Sequence, residues 1–291
     1  MTIYRIFILV LGVYACSTAV IMVKMSAIHP VLLSALRLLV GAAFLSPVWL
    51  ASRLKQGAAA GGTGVRRTIL PAVMLGLHFI TWIAGARLTL AANASLIVNL
   101  VPVAMPFLLY FLSRELINRG EVLGTILAML GVVFLVAADF RISLRTFGGD
   151  MICLLSMLFF AAYLALGRRG REVDRIWLFV VPLYAVAGIF CLAVSPIFMN
   201  PFSQKFTARE ILLVLGLGVI PTVIGHSSLL YCMKHLRAQV VAIATLGQFV
   251  FAGIMAYFFL GEAPDLLFYL SSALLVAGAV VAIRSSKPDA A

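Results

Sequence analysis

Charged residues are scarce in this chain. Only 11% of its 291 residues are Asp, Glu, Lys or Arg, and 64% are hydrophobic. Soluble domains, by comparison, keep about a quarter of their residues charged. Too few polar residues remain to cover the outside of a water-soluble helical core. The composition therefore excludes an ordinary soluble domain and predicts a polytopic membrane protein.

Acidic residues are the rarest of the charged residues, with 10 against 22 basic ones. None lies deep inside an apolar segment; those nearest to the segments are at their ends, namely Glu115, Glu121, Asp139, Asp150, Glu262 and Asp265. Proton-driven carriers commonly place a titrating carboxylate in their pathway. Only His78 and His226 are left for that role, so the sequence disfavours proton coupling without identifying another energy source.

Cysteine is also sparse and carries no recognisable pattern. The four cysteines are isolated within apolar segments, with no CxxC pair and no spacing typical of metal ligands. Such residues usually serve packing. We expect neither a metal site nor a cofactor.

Long apolar segments account for most of the sequence. Charged clusters and turn residues divide it into ten such segments, and nearly all have the roughly 17 to 25 residues that a helix needs to cross a bilayer. They are 3–23, 31–50, 69–88, 91–112, 122–138, 150–167, 177–195, 211–233, 239–260 and 266–283. We therefore expect an all-α polytopic membrane protein with ten transmembrane helices.

Basic residues lie between the apolar segments instead of along one face. The net charge of +12 therefore does not indicate a nucleic-acid-binding surface. If alternate connections lie on opposite sides of the membrane, 15 of the 22 Lys and Arg residues fall on the side of the two termini and 6 on the other. Because positive charge is retained in the cytoplasm, we expect a multi-pass protein of the bacterial inner membrane with both termini cytoplasmic.

The chain repeats itself at an offset of 147 residues. Matching pairs run without a gap through the end of each half, from Tyr110/Tyr257, Phe111/Phe258 and Glu115/Glu262 to Leu123/Leu270, Leu127/Leu274, Gly131/Gly278 and Val133/Val280. Each half carries five apolar segments, and an odd number forces the second half to enter the membrane from the opposite side. We therefore expect two five-helix domains, 1–143 and 144–291, as inverted repeats, a build common among secondary transporters.

Polar residues within the segments are the candidates for function. His78 lies nine residues after Ile69, which puts it roughly 14 Å deep, near the bilayer midplane. An ionisable side chain at that depth needs a cavity or a partner. His226 occupies nearly the equivalent place in the second half. Each histidine either lines a substrate cavity or forms hydrogen bonds with a neighbouring helix, and both interpretations stay open.

Other polar and aromatic residues lie on the same or equivalent helices. We expect a central cavity bounded by segments one, three, four, six, eight and nine, mostly apolar and aromatic with a few hydrogen-bonding groups. The candidate substrate-binding residues are Tyr14, His78, Trp82, Ser95, Asn99, Tyr163, Thr245 and Gln248. Interhelical hydrogen bonding is the alternative for each polar residue taken alone.

Bending points and one buried charge complete the candidate site. Proline removes a backbone donor and bends a helix, and glycine loosens it. The possible hinges are Pro102, Pro106, Pro221 and Gly247. Arg37 lies six residues into the second segment. Either it meets a substrate carboxylate, or it snorkels towards water or caps neighbouring carbonyls.

Several short motifs resemble those of a known family. The stretch from Gly12 through Lys24, with His29-Pro30 and Arg37, resembles the opening of the EamA family in the drug/metabolite transporter superfamily. The second half is similar in Gly149-Asp150, Ala161, Tyr163 and Arg168-Arg169, and both halves in Glu115 with Gly124 and Gly131 and in Glu262 with Gly278. The resemblance covers essentially the whole chain. It implies ten helices in two inverted repeats, a central cavity and alternating access.

Within that family the sequence is most similar to the aromatic-amino-acid exporter group. We therefore expect a transporter, not an enzyme, that exports amino acids, including aromatic and other apolar ones, or related small metabolites. Its partners are a small-molecule substrate and the lipid bilayer, with no nucleic acid, and it is a monomer or weak homo-oligomer. An exporter of drugs or other amphiphilic metabolites and a lipid-linked-sugar flippase stay open. A polytopic membrane enzyme is a remote alternative, because no catalytic cluster is evident.

Overall fold

The computed structural model describes residues 3–56, 63–138, 144–168, 175–260 and 266–285. All regular structure in these ranges is helical. The predicted domain boundary at 143 lies outside them, as do Arg169 and Glu262. The helices are α1 (Ile3–Met25), α2 (Pro30–Gln56), α3 (Thr63–Ala86), α4 (Ala91–Val98), α5 (Val101–Ser113), α6 (Arg119–Ala138), α7 (Leu144–Gly167), α8 (Trp177–Phe198), α9 (Ala208–Leu217), a π-helix (Gly218–His226), α10 (Ser227–His235), α11 (Ala238–Thr245), α12 (Gly247–Leu260) and α13 (Leu266–Ser285).

Length and apolar composition suit most of these helices to a membrane. In the described ranges, eight helical stretches are long and apolar enough to cross one, and Tyr269–Ser285 is a shorter apolar helix. Large hydrophobic side chains such as Phe107 and Phe198 are exposed on the outer surface, where lipid would cover them. The predicted all-α polytopic membrane protein is confirmed in these terms. The count of ten transmembrane helices stays a prediction.

The helices pair in a pattern that repeats between the two halves. The 147-residue offset carries the first residues of α2, α4 and α6 onto the first residues of α8, α11 and α13. Among the most extensive contacts, α2 packs on α8 and α6 on α13, so each of these helices meets its own equivalent. In addition, α1 packs on the π-helix, and α3 packs on α7. These two pairs are equivalent, because the offset carries α1 onto α7 and α3 onto the segment that contains the π-helix.

One predicted segment is split into α4 and α5. Asn99 ends α4 with φ −93° and ψ 7°, and Leu100 precedes α5. The Asn99 side-chain amide donates to the Ser95 carbonyl at 2.7 Å, which satisfies an acceptor near the helix end. The equivalent segment is interrupted at Leu246, which lies 147 residues after Asn99. The break thus precedes Pro102, which occupies the first turn of α5, where its missing N–H is harmless.

A π-helix separates α9 from α10. Pro221 lies inside it and cannot donate a helical hydrogen bond. The Thr222 hydroxyl donates to the Leu217 carbonyl at 2.8 Å, five residues back. Tyr184 of α8 donates to the Thr222 carbonyl at 3.0 Å, and the Cys16 thiol of α1 lies 3.7 Å from the Pro221 carbonyl. Side chains of neighbouring helices thus bind carbonyls of this π-helix. Short π-helical turns are often found at functional sites.

Polar contacts join the two halves at one end of the molecule, which we call the α1–α2 end because it carries the connection 26–29. Glu210 at the start of α9 accepts hydrogen bonds from the Ser26 hydroxyl at 2.6 Å and the Ala27 amide at 2.9 Å. Nearby, the Thr89 hydroxyl donates to Asp150 of α7 at 2.6 Å. Both contacts link a connection of the first half to a helix of the second.

Two basic side chains at the α1–α2 end, Arg87 and His29, have lowered pKa values. The Arg87 Nε donates to the Val23 carbonyl at 3.3 Å. Burial lowers the pKa of Arg87 from its ordinary 12.5, and the charge of Glu210 opposes that shift. Burial, and then the charge of Arg87, lowers the pKa of His29 from its ordinary 6.5, so His29 is neutral at pH 7.

The opposite end, which we call the α5–α6 end, is joined by ion pairs. Glu121 is fully buried and pairs with Arg237, whose Nη2 lies 3.0 Å from Glu121 Oε2. Asn118 and Glu121 exchange backbone-to-side-chain hydrogen bonds of 2.8 Å in a capping box at the start of α6. Glu115 pairs with Arg168 at the end of α7. The first half is therefore tied to the second at both ends.

Candidate functional site

A cavity lies between the two halves. It is narrow and partly open to the surroundings. Its lining comes from α1, α2, α3, α4, α7, the π-helix and α12: Cys16, Ser17, Ala19, Val20, Arg37, His78, Phe79, Trp82, Ser95, Val98, Asn99, Phe160, His226 and Gln248. The six segments expected from the sequence all contribute, and α2 contributes Arg37 in addition.

His78 is fixed in this lining by α7. The Ser156 hydroxyl donates to the His78 carbonyl at 2.8 Å, and the His78 Nδ1 lies 2.9 Å from the same hydroxyl oxygen. A serine hydroxyl has one proton. Since that proton is used on the carbonyl, His78 Nδ1 carries its own hydrogen and donates it to Ser156. In the neutral ring, Nε2 is then left as an acceptor.

Aromatic rings form one wall of the cavity. The His78 ring stacks on Phe160 with centroids 4.6 Å apart and lies 6.3 Å from Trp82. The His226 ring meets Phe79 edge-on at 5.0 Å and lies 6.3 Å from the His78 ring. Offset and edge-to-face contacts of this kind stabilise aromatic clusters.

Arg37 brings a positive charge to the cavity. Its side chain is completely buried, so it does not reach towards water. The guanidinium carbon lies 3.9 Å from the centroid of the Phe79 ring, a cation–π contact. Its Nε donates to the Thr222 hydroxyl at 3.1 Å. Arg37 is thus held between α3 and the π-helix, from opposite halves of the chain.

Several polar atoms of the lining have no hydrogen-bond partner in the described part of the chain. They are Trp82 Nε1, Asn99 Oδ1, Gln248 Nε2, His226 Nδ1 and the Arg37 atoms Nη1 and Nη2. Buried polar groups in proteins are almost always paired, with protein, water or ligand. Unpaired groups around one cavity are therefore candidates for binding a solute.

The structure brings together many, though not all, of the residues predicted from the sequence. His78, Trp82, Ser95, Asn99 and Gln248 line the cavity with Arg37. Three others lie elsewhere: Tyr14, Tyr163 and Thr245. Tyr14 is 47% exposed and packs edge-on against Phe251. Tyr163 is fully buried behind Phe160 and His226, and Thr245 donates to the Ala242 carbonyl of its own helix at 2.7 Å.

The predicted hinges lie near irregular backbone. Pro102 and Pro106 are inside α5, Pro221 is inside the π-helix, and Gly247 begins α12. Their bending stays a prediction.

Sequence reasoning missed part of the lining. Cys16, Val20, Phe79 and Phe160 are apolar and carry no chemical signal. Helical spacing gave a hint for two of them, since Cys16 and Val20 lie one turn apart and flank Ser17. Tyr14 is half exposed and packs on Phe251 of α12, whereas the face of α1 that carries Cys16 and Val20 lines the cavity.

Comparison with known proteins identifies the family. The model of the EamA-like transporter family matches residues 2–137 and again 147–284. The chain belongs to the EamA-like transporter family. The two matches correspond to the two halves defined by the 147-residue offset.

Relatives of this EamA-like chain carry transporter names. An uncharacterized transporter of Archaeoglobus fulgidus is 27% identical over 220 residues, which cover 75% of this chain and 77% of the relative. The uncharacterized transporter YdfC of Bacillus subtilis is 23% identical over 202 residues, 67% of this chain and 63% of YdfC. A crystal structure of another protein superposes with a TM-score of 0.76 over 97% of each chain at 20% identity, which establishes similarity of fold. These findings indicate a multi-pass membrane transporter rather than an enzyme.

Proposed function

We propose that this EamA-like chain transports amino acids, including those with aromatic and other apolar side chains, and exports them from the cell. The observation that carries the proposal is the composition of the cavity. Aromatic rings of Phe79, Trp82 and Phe160 face the same space as unpaired polar atoms of Asn99 and Gln248. A solute with an apolar group and a small polar end matches that division.

The proposed binding mode assigns a role to each part of the lining. Trp82 and Phe160 hold the apolar part of the solute by ring contact. His78, Asn99 and Gln248 orient its polar end, with Asn99 Oδ1 and His78 Nε2 as acceptors and Gln248 Nε2 as a donor. Ser95 lines the cavity with Asn99, and Tyr163 supports the site from behind Phe160 and His226.

Alternating access is the proposed mechanism. In this mechanism the two halves form an inverted pair. The packing of α1 on the π-helix and of α3 on α7, which are equivalent contacts between the halves, supports this arrangement. Interrupted helices at Asn99 and Leu246 adjoin the cavity, as in carriers whose halves rock around a fixed site. The polar contacts at the α1–α2 end and the α5–α6 end would open in turn.

The membrane orientation is part of the proposal. The distribution of Lys and Arg favours the α5–α6 end in the cytoplasm, together with both termini, in a bacterial inner membrane. In this proposal the carrier acts as a monomer or a weak homo-oligomer.

Transport into proteoliposomes tests the substrate assignment. Proteoliposomes that contain the purified chain are loaded with unlabelled L-phenylalanine. The entry of labelled L-phenylalanine, L-leucine, L-alanine and L-aspartate is then measured as counterflow. Protein-free liposomes are the control. We expect counterflow of the aromatic and apolar amino acids. If no amino acid moves and none competes, the substrate class is wrong. Selective movement of ethidium would then favour a drug exporter, and movement of a lipid-linked sugar alone would favour a flippase.

The export direction needs a separate measurement. Bacterial cells that produce the chain should retain less labelled p-fluorophenylalanine and tolerate more of this toxic analogue than cells that carry an empty vector. Greater retention and greater sensitivity would indicate import.

A further inference from the structure

Arg37 is a charged side chain whose own hydrogen-bonding capacity is largely unused. It is completely buried, yet both terminal nitrogens of its guanidinium lack a hydrogen-bond partner. Among the residues that the structure describes, no carboxylate forms an ion pair with it. Buried charges in proteins are otherwise paired, because removal of an ion from water is costly. Among the described residues, the cavity therefore contains a positive charge without a counter-charge.

The orientation of the guanidinium is fixed from two sides. Phe79 supports one face of its plane at 3.9 Å. The Thr222 hydroxyl gives its proton to the Leu217 carbonyl and hence accepts the Arg37 Nε hydrogen at 3.1 Å. Since Nε and one face are occupied, the unused donors are on Nη1 and Nη2, and Arg37 itself lines the cavity.

This arrangement fits a carboxylate. The planar fork of a guanidinium binds a carboxylate through two parallel hydrogen bonds, and such charge-assisted bonds are stronger than neutral ones. The other unpaired donors of the lining, Trp82 Nε1 and Gln248 Nε2, add to the preference for an acceptor-rich group. An amide or an amine in the same place would leave the positive charge uncompensated.

We propose that the Arg37 guanidinium binds the carboxylate of the transported solute, so that the carrier selects carboxylates over the corresponding amides and amines. This inference rests on the proposed function, because both concern the same cavity. It adds an obligatory chemical group to the substrate class. It also assigns Phe79 and Thr222 as positioning residues, since they act through Arg37.

A set of four related compounds tests the inference on the purified full-length protein. L-Phenylalanine and 3-phenylpropionate carry the carboxylate, whereas L-phenylalaninamide and phenethylamine lack it. The melting temperature in detergent is measured with each compound. We expect the two carboxylates to raise it and the other two to have no effect. Equal stabilisation by the amide and the acid, or no stabilisation by any compound, would overturn the inference.

Arg37→Gln and Arg37→Lys connect the selectivity to this side chain. In proteoliposomes, the ratio of kcat/KM for L-phenylalanine to that for its amide should fall about 100-fold in Arg37→Gln, and less in Arg37→Lys, because a bidentate charged contact is lost. If Arg37 had only a structural role, its replacement would lower kcat/KM for the acid and for the amide by the same factor, and their ratio would not change. That result would contradict the inference even if the variants folded poorly.

Arg53→Gln is the matched control. Arg53 lies on the same helix and also stacks on an aromatic ring, that of Trp49 at 5.8 Å, but it is exposed. It should keep the wild-type ratio. The test also separates the inference from the proposed function. If 3-phenylpropionate stabilises the protein through Arg37 while no amino acid is transported, the amino-acid assignment is wrong and the carboxylate site stands. If acid and amide are transported equally, the carboxylate site is wrong and the transport function stands.

Discussion

Trp82 offers the largest aromatic surface in the cavity lining. Its side chain is 6% exposed and its ring lies 6.3 Å from that of His78. Trp82→Ala should raise KM for L-phenylalanine about fivefold, because an aromatic contact contributes about 1 kcal/mol beyond its buried area. KM for L-alanine should change much less. The control is Trp49→Ala, which removes a tryptophan outside the lining. Equal effects on both amino acids would contradict a ring-binding role for Trp82.

The hydroxyl of Ser156 positions His78. Ser156→Ala removes both its bond to the His78 carbonyl and the acceptor for Nδ1. We expect a loss of about 1 kcal/mol in stability, typical of an interhelical hydrogen bond in a membrane protein, and a lower melting temperature. Ser156→Thr should restore much of it. Ser46→Ala is the control, because the Ser46 hydroxyl bonds only within its own helix on an exposed face. A wild-type melting temperature for Ser156→Ala would argue against this role.

At the residue scale, the sequence predicts polar candidates better than it predicts their surroundings. His78 and Asn99 were identifiable because a polar residue at membrane depth needs a partner or a cavity. Phe79 and Phe160 were not, since an aromatic residue in an apolar segment is equally suited to lipid or to packing. For Arg37 the sequence left three roles open: binding a substrate carboxylate, snorkelling towards water and capping neighbouring carbonyls. Its complete burial and its contacts with Phe79 and Thr222 exclude snorkelling.

Close packing of α1 on the π-helix depends on Gly225. A Cβ added to Gly225 would lie 2.5 Å from the Cys16 sulfur and 3.1 Å from its backbone nitrogen. Gly225→Ala should therefore separate the two helices and destabilise the protein by about 1 to 3 kcal/mol. The measurement is the melting temperature of the purified variant.

Gly216→Ala is the control for Gly225→Ala. At Gly216 the nearest atoms to an added Cβ belong to the flexible end of Met22, at 3.3 and 3.5 Å. Alanine also favours helix more than glycine does. Gly216→Ala should melt at or above the wild-type temperature. If both variants melted alike, close packing of α1 on the π-helix would not be a determinant of stability.

At the element scale, periodicity and length predicted the helices, but not where they become irregular. The split between α4 and α5 falls at Asn99, three residues before the proline that suggested a bend there. The reason is that Asn99 itself satisfies the Ser95 carbonyl, a local contact that no apolar pattern reveals. In the π-helix, the Thr222 carbonyl likewise accepts a hydrogen bond from Tyr184, which is distant in sequence and reaches it only in the folded protein.

For the whole molecule, the polar contacts at the two ends should act in opposition. Glu121→Gln weakens the pair with Arg237 at the α5–α6 end, and Glu210→Gln weakens the bonds to the 26–29 connection at the α1–α2 end. Each change should favour opening of its own end. A loss of about 1 kcal/mol would shift the equilibrium between the closed and open states of that end about fivefold. The measurement is the rate at which a membrane-impermeant thiol reagent reaches Cys16 from each side. If both variants changed the rate of reaction at Cys16 from the two sides in the same way, the contacts at the two ends would not close the cavity separately.

At this scale the sequence predicted the repeat and its offset because both halves kept matching positions, such as Gly131 and Gly278. The family model matches one stretch in each half, 2–137 and 147–284, while the boundary at 143 and the inverted arrangement stay predictions. The exchange of helix partners between halves could not be predicted, since it depends on surfaces that differ in residue type. Trp82 and Leu229, for example, are equivalent by the offset, but Trp82 lines the cavity and Leu229 does not.

Accessibility of Cys16 tests the account most directly, because Cys16 is the cysteine in the cavity lining. In a variant with Cys153, Cys191 and Cys232 changed to alanine, the impermeant thiol reagent is applied to oriented vesicles from either side. The account predicts reaction at Cys16 from both sides, and protection by L-phenylalanine from both. Reaction from one side alone, or no protection by any amino acid, would contradict a central amino-acid site that opens alternately to the two sides of the membrane.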